Sequence, residues 1–223
     1  MINFEARNGC VMKKGKISSA VIRRLPRYYR HLDELLRAGT VRISSSSLAK
    51  SMGLTASQIR QDLSCFGGFG QQGYGYNVER LRSEVADILG MNREHTVAIL
   101  GAGNLGRALM ENFPFAANGF HLAAAFDVDP KLVGTQISGT PVYHADTLEE
   151  RLKADPVSVC VLTVPAREAE NTARRAASCG VSGIWNFTNV ELPDQDMPGV
   201  QIEDVHFADS LLTLSYMISE ETL

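Results

Sequence analysis

No run in this 223-residue chain is apolar over the ~20 residues that a bilayer span requires. The first ten residues also lack the apolar centre of a secretory leader. Only four cysteines occur, Cys10, Cys65, Cys160 and Cys179, and no two form a CxxC pair. A disulfide framework or a zinc site is therefore not expected, and a reducing cytoplasm suits the chain. Cys160 lies in an apolar run and reads as a small buried hydrophobe, and Cys65 reads as a structural thiol. There is no YxxxK pair, no histidine–acid pair placed for proton transfer, and no internal repeat. No catalytic residue and no metal ligand are assigned.

The near-neutral overall charge of −3 conceals an asymmetry. Residues 1–93 carry 15 basic against 7 acidic residues, a net of +8, whereas residues 94–223 carry 7 against 18, a net of −11. A basic front on an acidic back directs the first segment towards a polyanion.

What is present is a dinucleotide fingerprint. His95–Leu100 is an apolar, β-branched run that reads as a strand, followed by Gly101-Ala102-Gly103-Asn104-Leu105-Gly106 and a helix face of Leu105, Ala108, Leu109 and Phe113. Gly101 permits the turn, Gly103 lets backbone approach a pyrophosphate, and Gly106 lets the helix lie close to the strand. The helix start then offers N–H groups to phosphate. The next strand, His121–Asp127, ends in an acid 21 residues beyond Gly106. A carboxylate there accepts from ribose hydroxyls and repels a 2′-phosphate, which favours NAD(H) over NADP(H). Strand and helix signals continue to alternate: Val142-Tyr143, Leu148–Leu152, Ser158–Val164, Ala166–Cys179 and Gly183–Phe187. That order predicts a doubly wound parallel sheet.

The front segment reads differently. After a loose lead-in over 1–16, Ser18 or Ser19 caps a helix that Pro26 either kinks or ends, and Tyr28–Leu36 continues at helical spacing to Gly39. Ser44–Ser47 caps a short helix through Met52, Gly53-Leu54 makes a turn, and Thr55 caps Ala56–Phe66. Two short helices joined in this way are a helix-turn-helix. With a hairpin over Gly67–Tyr76 and a helix over Asn77–Leu89, the whole is a winged helix. The second helix offers Gln58, Arg60 and Gln61 to base edges. Ser45, Ser46, Ser47, Thr55 and Ser57 can donate to phosphate, and Arg23, Arg24, Arg27 and Arg30 form a basic cluster. The predicted division is 1–89 for DNA, 90–94 as linker, 95–205 as the Rossmann domain and 206–223 as a terminal helix.

Ala20–Arg30, Arg42–Ser45, Ser57–Ser64 and Phe66–Tyr76 resemble the corresponding stretches of the Rex family of bacterial redox-sensing repressors. The glycine motif, Phe126–Pro130, Thr163–Ala166 and Asn186-Phe187 continue the resemblance in the same order. It implies a homodimer that binds a palindromic operator, is released by NADH and binds NAD+ without release. It also implies a last helix exchanged between subunits, with Phe207 beside the partner's nicotinamide pocket and Val164, Pro165, Ala166, Asn186 and Phe187 lining that pocket. Ser64, Gln72 and Tyr74 join the DNA-contacting set through the same resemblance.

Three positions depart from the family pattern. Gln71-Gln72 stand where many relatives carry a wing-tip cation. A ligand-dependent Tyr–Asp pair of the family falls at Asn112 or Phe113 and at His206. An NAD-dependent dehydrogenase with a regulatory front domain is the alternative, as is a nucleotide-binding scaffold for protein partners. The span from His95 to Phe207 is short for the dehydrogenase, because it leaves no substrate domain.

Overall fold

The computed structural model describes residues 17–67, 70–71 and 74–220; the expected lead-in over 1–16 and Gln72 lie outside them. The chain divides into one unit up to Arg93 and a second from Glu94.

The first unit opens with α1 (Ser19–Arg37), whose Ser18 cap accepts from the Val21 N–H. Pro26 neither ends nor splits this helix. It sits on the exposed side of the helix, as does Ile22, the residue whose carbonyl loses its helical donor. Val21, Leu25, Tyr28 and Leu32 form the buried stripe. β1 (Arg42–Ile43) leads to α2 (Ser45–Met52), capped by Ser44, and α3 (Ala56–Ser64), capped by Thr55. Gly53 closes α2 in the left-handed conformation. α3 stops at Ser64, two residues before the expected end, and Cys65 just beyond it is exposed. β2 (Gly70–Gln71) and β3 (Gly75–Asn77) form the hairpin, and α4 (Val78–Ile88) follows from its Asn77 cap. The strands order β1-β3-β2, all antiparallel. Leu25, Tyr28, Leu32, Leu48, Ile59, Leu63 and Leu81 make one core beneath α1–α4. This is a winged helix.

The second unit is a seven-stranded sheet in the order β10-β9-β8-β4-β5-β7-β6. Its members are β4 (His95–Leu100), β5 (Phe120–Asp127), β6 (Gln136–Ile137), β7 (Thr140–His144), β8 (Val159–Leu162), β9 (Gly183–Asn186) and β10 (Gln201–Asp204). All pairs are parallel except β6 with β7. α5 (Asn104–Asn112) packs on one face, with Met110 beside Val97, Ile99 and Val161. α6 (Leu148–Ala154) and α7 (Ala166–Ser178) pack on the other, with Leu148, Leu152, Ala169 and Ala173 against Leu100, Cys160 and Leu162. Cys160 is fully buried, and burial pushes its thiol up to about 12. β8 ends at Leu162 rather than Val164; beyond it, the Thr163 N–H and hydroxyl both donate to the Leu100 carbonyl at the end of β4. α8 (Phe207–Glu220) follows β10, and its large apolar residues are uncovered.

Candidate nucleotide and nucleic-acid sites

The chain runs outward from β4 to β5 on one side and returns to place β8 on the other. The carboxyl ends of β4 and β8 therefore flank the point at which strand order reverses, where open α/β sheets bind ligands. The glycine turn sits in that crevice. Gly101 has φ +98°, and a Cβ on it would lie 2.8 Å from the Thr163 carbonyl oxygen. A Cβ on Gly106 would come within 2.0 Å of the Gly101 oxygen, so the helix can approach only without a side chain there. Thr163 Oγ1 reaches the Gly101 and Leu100 carbonyls at 2.7 and 3.1 Å, fastening the turn to β8. Thr163 is absent from the sequence-derived site; the contact spans more than sixty residues, and only sheet order brings its ends together.

Asp127, at the end of β5, accepts from the Ala102 N–H at 2.6 Å and the Asp129 N–H at 2.8 Å. The carboxylate thus holds the turn open towards the crevice and keeps lone pairs for ribose hydroxyls. Neither α5 nor α7 has a side-chain cap, at Gly103 and Pro165 respectively, so both helix starts can meet anionic groups. Asn104 is exposed and Leu105 half-buried at the first of these.

Of the expected nicotinamide wall, Val164 is half-buried, and Pro165 and Ala166 are exposed at the start of α7. Phe187 belongs to a ladder of rings: Phe115–Phe113 at 4.8 Å, Phe113–Trp185 at 5.2 Å, Trp185–Phe187 at 4.6 Å and Phe187–Phe207 at 5.9 Å. Within one chain, Phe207 therefore meets its own Phe187. Asn186 is only 1 % exposed and its amide is fully engaged. It donates to the Val190 carbonyl and to Asp204 Oδ1, both at 2.7 Å, and accepts from Thr188. Its side chain shapes the loop behind Phe187 and has no group left for a ligand. Asn112 bonds back to the Ala108 carbonyl of its own helix, and Phe113 is committed to the ring ladder.

In the first unit, α3 buries Ile59, Asp62 and Leu63 and exposes Ser57, Arg60, Gln61 and Ser64 along the opposite edge, with Gln58 half-buried. Arg60 Nη1 donates to Ser45 Oγ at 3.1 Å, which joins the start of α2 to that edge. Ser46 is exposed beside it and bonds Ser44. Ser64 Oγ donates to the Gln61 carbonyl. Tyr74 is 70 % exposed, with the Arg42 guanidinium 6.0 Å from its ring. Arg42, which the β1–β3 pairing brings to the wing, also donates to the Tyr74 carbonyl at 3.4 Å.

The arginine cluster on α1 does not act as one surface. Arg24 makes a bidentate pair with buried Asp62 at 2.7 and 2.8 Å, and Tyr28 Oη donates to the same carboxylate at 2.8 Å. Burial, then the bond to Asp62, pushes the Tyr28 hydroxyl well above its usual range. Arg27 donates to the Met52 carbonyl, and Arg30 lines a cleft between α1 and α2. Arg24 thus fixes the pitch of α3 against α1 and is unavailable to a phosphate.

A family model described as a CoA binding domain matches residues 92–190, and one described as the N-terminus of a putative DNA-binding protein matches 16–64. The redox-sensing transcriptional repressor Rex of Clostridium tetani is 49 % identical over 94 % of this chain and 98 % of its own length. Its counterpart in Thermoanaerobacter pseudethanolicus is 47 % identical, over 95 % and 93 %. A crystal structure of RSP, a Rex-family repressor, in complex with β-NAD+ and operator DNA aligns with a TM-score of 0.86 at 46 % identity, covering 94 % of this chain and 95 % of that one. RSP in complex with β-NADH aligns equally well at 43 % identity, covering 94 % and 97 %. The relatives are regulators, so the dehydrogenase reading falls.

Proposed function

The chain belongs to the Rex family of redox-sensing transcriptional repressors, and we propose that its winged helix reads operator DNA while its sheet domain reads the NADH/NAD+ ratio. The observation that carries the second half is Asp127, which grips the glycine turn at the strand-order reversal and leaves its remaining lone pairs for a ribose. A carboxylate there disfavours a ribose phosphorylated at its 2′- or 3′-hydroxyl, as in NADP(H) or coenzyme A, and so selects NAD(H). Gly101, Ala102, Gly103, Asn104, Leu105 and Gly106 cradle the pyrophosphate. Val164, Pro165, Ala166, Phe187 and Phe207 form the apolar wall that prefers the neutral dihydronicotinamide to the cationic ring, with Asn186 behind it as a positioning residue.

For DNA, Gln58, Arg60 and Gln61 face base edges, and Ser45, Ser46, Ser57 and Ser64 face phosphates. Tyr74 and, by the family resemblance, Gln72 join them from the wing segment, with Arg42 beside Tyr74 as a further cation. Arg30 serves as a further phosphate contact. The working form is a homodimer on a palindrome, joined through α8, and it resides in the cytoplasm. Among the described residues, no helix is long and apolar enough to cross a membrane.

NADH and NAD+ share every contact except the nicotinamide, so only the ring wall can give them different affinities for the DNA-competent state. Fluorescence anisotropy on a labelled palindromic operator tests this. NADH releases the DNA and NAD+ does not; release by both, or by neither, overturns the sensor assignment.

A further inference from the structure

His31, Glu34 and Ser51 have no part in either site above, yet they meet Arg27 and Arg30 around a cleft of about 160 Å³ completed by Met52. Residues 27, 30, 31 and 34 fall on one stripe of α1 by helical spacing, and Ser51 and Met52 close the cleft from the end of α2. Ser51 Oγ donates to the Leu48 carbonyl at 3.0 Å, so in its 2.6 Å contact with His31 Nε2 the hydroxyl accepts and the ring donates. With Nε2 protonated, Nδ1 faces Glu34 Oε2 at 3.5 Å, an approach that becomes attractive once Nδ1 is protonated too. The Glu34 side chain is 71 % exposed and can turn aside.

Arg27 spends one nitrogen on the Met52 carbonyl and keeps its other donors. Arg30 is exposed and has no hydrogen bond or ion pair among the described residues. Arg27, Arg30 and Glu34 are the charged groups of the cleft on α1; α2 contributes only Ser51 and Met52. Two cations and one anion leave the cleft at a net +1, and a second proton on His31 raises it to +2.

We infer that this cleft is a phosphate site whose hold on the oxyanion strengthens when His31 is charged. Two guanidinium groups and an imidazolium around a small polar hollow suit a tetrahedral oxyanion and not an apolar ligand. The phosphate comes from the DNA backbone or from a free phosphate group, and in the first case the inference rests on the operator reading above.

The test uses the full chain and His31→Gln, with circular dichroism confirming that the variant folds. Operator binding is measured against salt at about pH 6 and about pH 8. At the lower pH the wild-type slope of log K against log salt is steeper by about one, the signature of one added phosphate contact. His31→Gln shows the shallower slope at both. In parallel, inorganic phosphate is titrated at the lower pH while the His31 ring resonances are followed by NMR. They shift saturably in the wild type and remain fixed in the Arg27→Gln, Arg30→Gln double variant. Both signals assign the site to DNA phosphate; a saturable shift with unchanged salt slopes assigns it to a free phosphate; the absence of both overturns it. Failure of the wild type to bind operator at any salt sinks the DNA reading, and the NMR titration still decides the cleft.

Discussion

Gly106 shows how much can rest on a missing side chain. A methyl group there would have to occupy space 2.0 Å from the Gly101 oxygen, with Thr163 Oγ1 at 3.0 Å on its other flank. Neither is the end of a flexible side chain, so α5 must move away from β4, taking its first N–H groups out of line with a pyrophosphate. Gly106→Ala is expected to weaken NADH binding at least about tenfold, a loss of roughly 1.4 kcal/mol or more. Operator binding persists, and its release needs at least about tenfold more NADH. Isothermal titration with NADH and anisotropy on the operator separate the two effects. The glycines and Asp127 were legible in the sequence because their spacing is local. Residue type gives no sign of whether a polar group is already engaged, so the commitments of Asn186 and Arg24 within the chain are not legible in the sequence. The amide of Asn186 is used by Val190, Asp204 and Thr188, and the guanidinium of Arg24 by Asp62.

Among the elements, the longer ones were readable from periodicity and caps, while three short ones were not. β1 and β6 are two residues each, too brief for alternation to register, and β10 reads only weakly apolar. The β6–β7 turn, Ser138-Gly139 with both φ positive, is itself a hairpin turn; what hides the hairpin is the brevity of β6 and the proline at position 141 of β7. The α6–α7 pair yields to a more direct test. Arg175 holds Glu149 through two bonds of 2.6 and 2.8 Å and also donates to the Ala145 carbonyl. The Arg175 hydrogen bonds pull the Glu149 carboxyl down to about 2 from its ordinary 4.5. A carboxyl with a depressed folded-state value stabilises the fold fully above its ordinary value and loses that contribution as pH falls towards about 2. The pair is about one-third exposed, so screening limits it to about 1 kcal/mol. Urea unfolding of Glu149→Gln is therefore expected to show that deficit at neutral pH and to converge with the wild type near pH 2. A gap that stayed constant with pH would show that packing, not charge, ties α6 to α7.

At the scale of the whole molecule, α8 is the element that a single chain does not explain. Phe207, Leu211, Leu212, Leu214, Tyr216, Met217 and Ile218 are each at least 51 % exposed within fourteen residues. Covering such a set is worth on the order of 10 kcal/mol, comparable with the net stability of a domain. Residues 207, 211, 214 and 218 follow the 4-3-4 spacing of a helix seam, so a matching helix surface is the natural cover. In the homodimer proposed above, a second copy would supply that cover twice over by symmetry and would set two winged helices on a palindrome. The double substitution Leu211→Asp, Leu214→Asp puts charge into the seam without replacing any residue assigned to either site. It is expected to yield monomers in sedimentation equilibrium and to weaken operator binding about a hundredfold, because each recognition helix then binds its half-site without the other. NADH affinity will separate two versions of this interface. If Phe207 must come from the partner to complete the ring wall, the monomer loses NADH as well as DNA. If the 5.9 Å contact between Phe207 and its own Phe187 is sufficient, the monomer still binds NADH and only the coupling to DNA is lost.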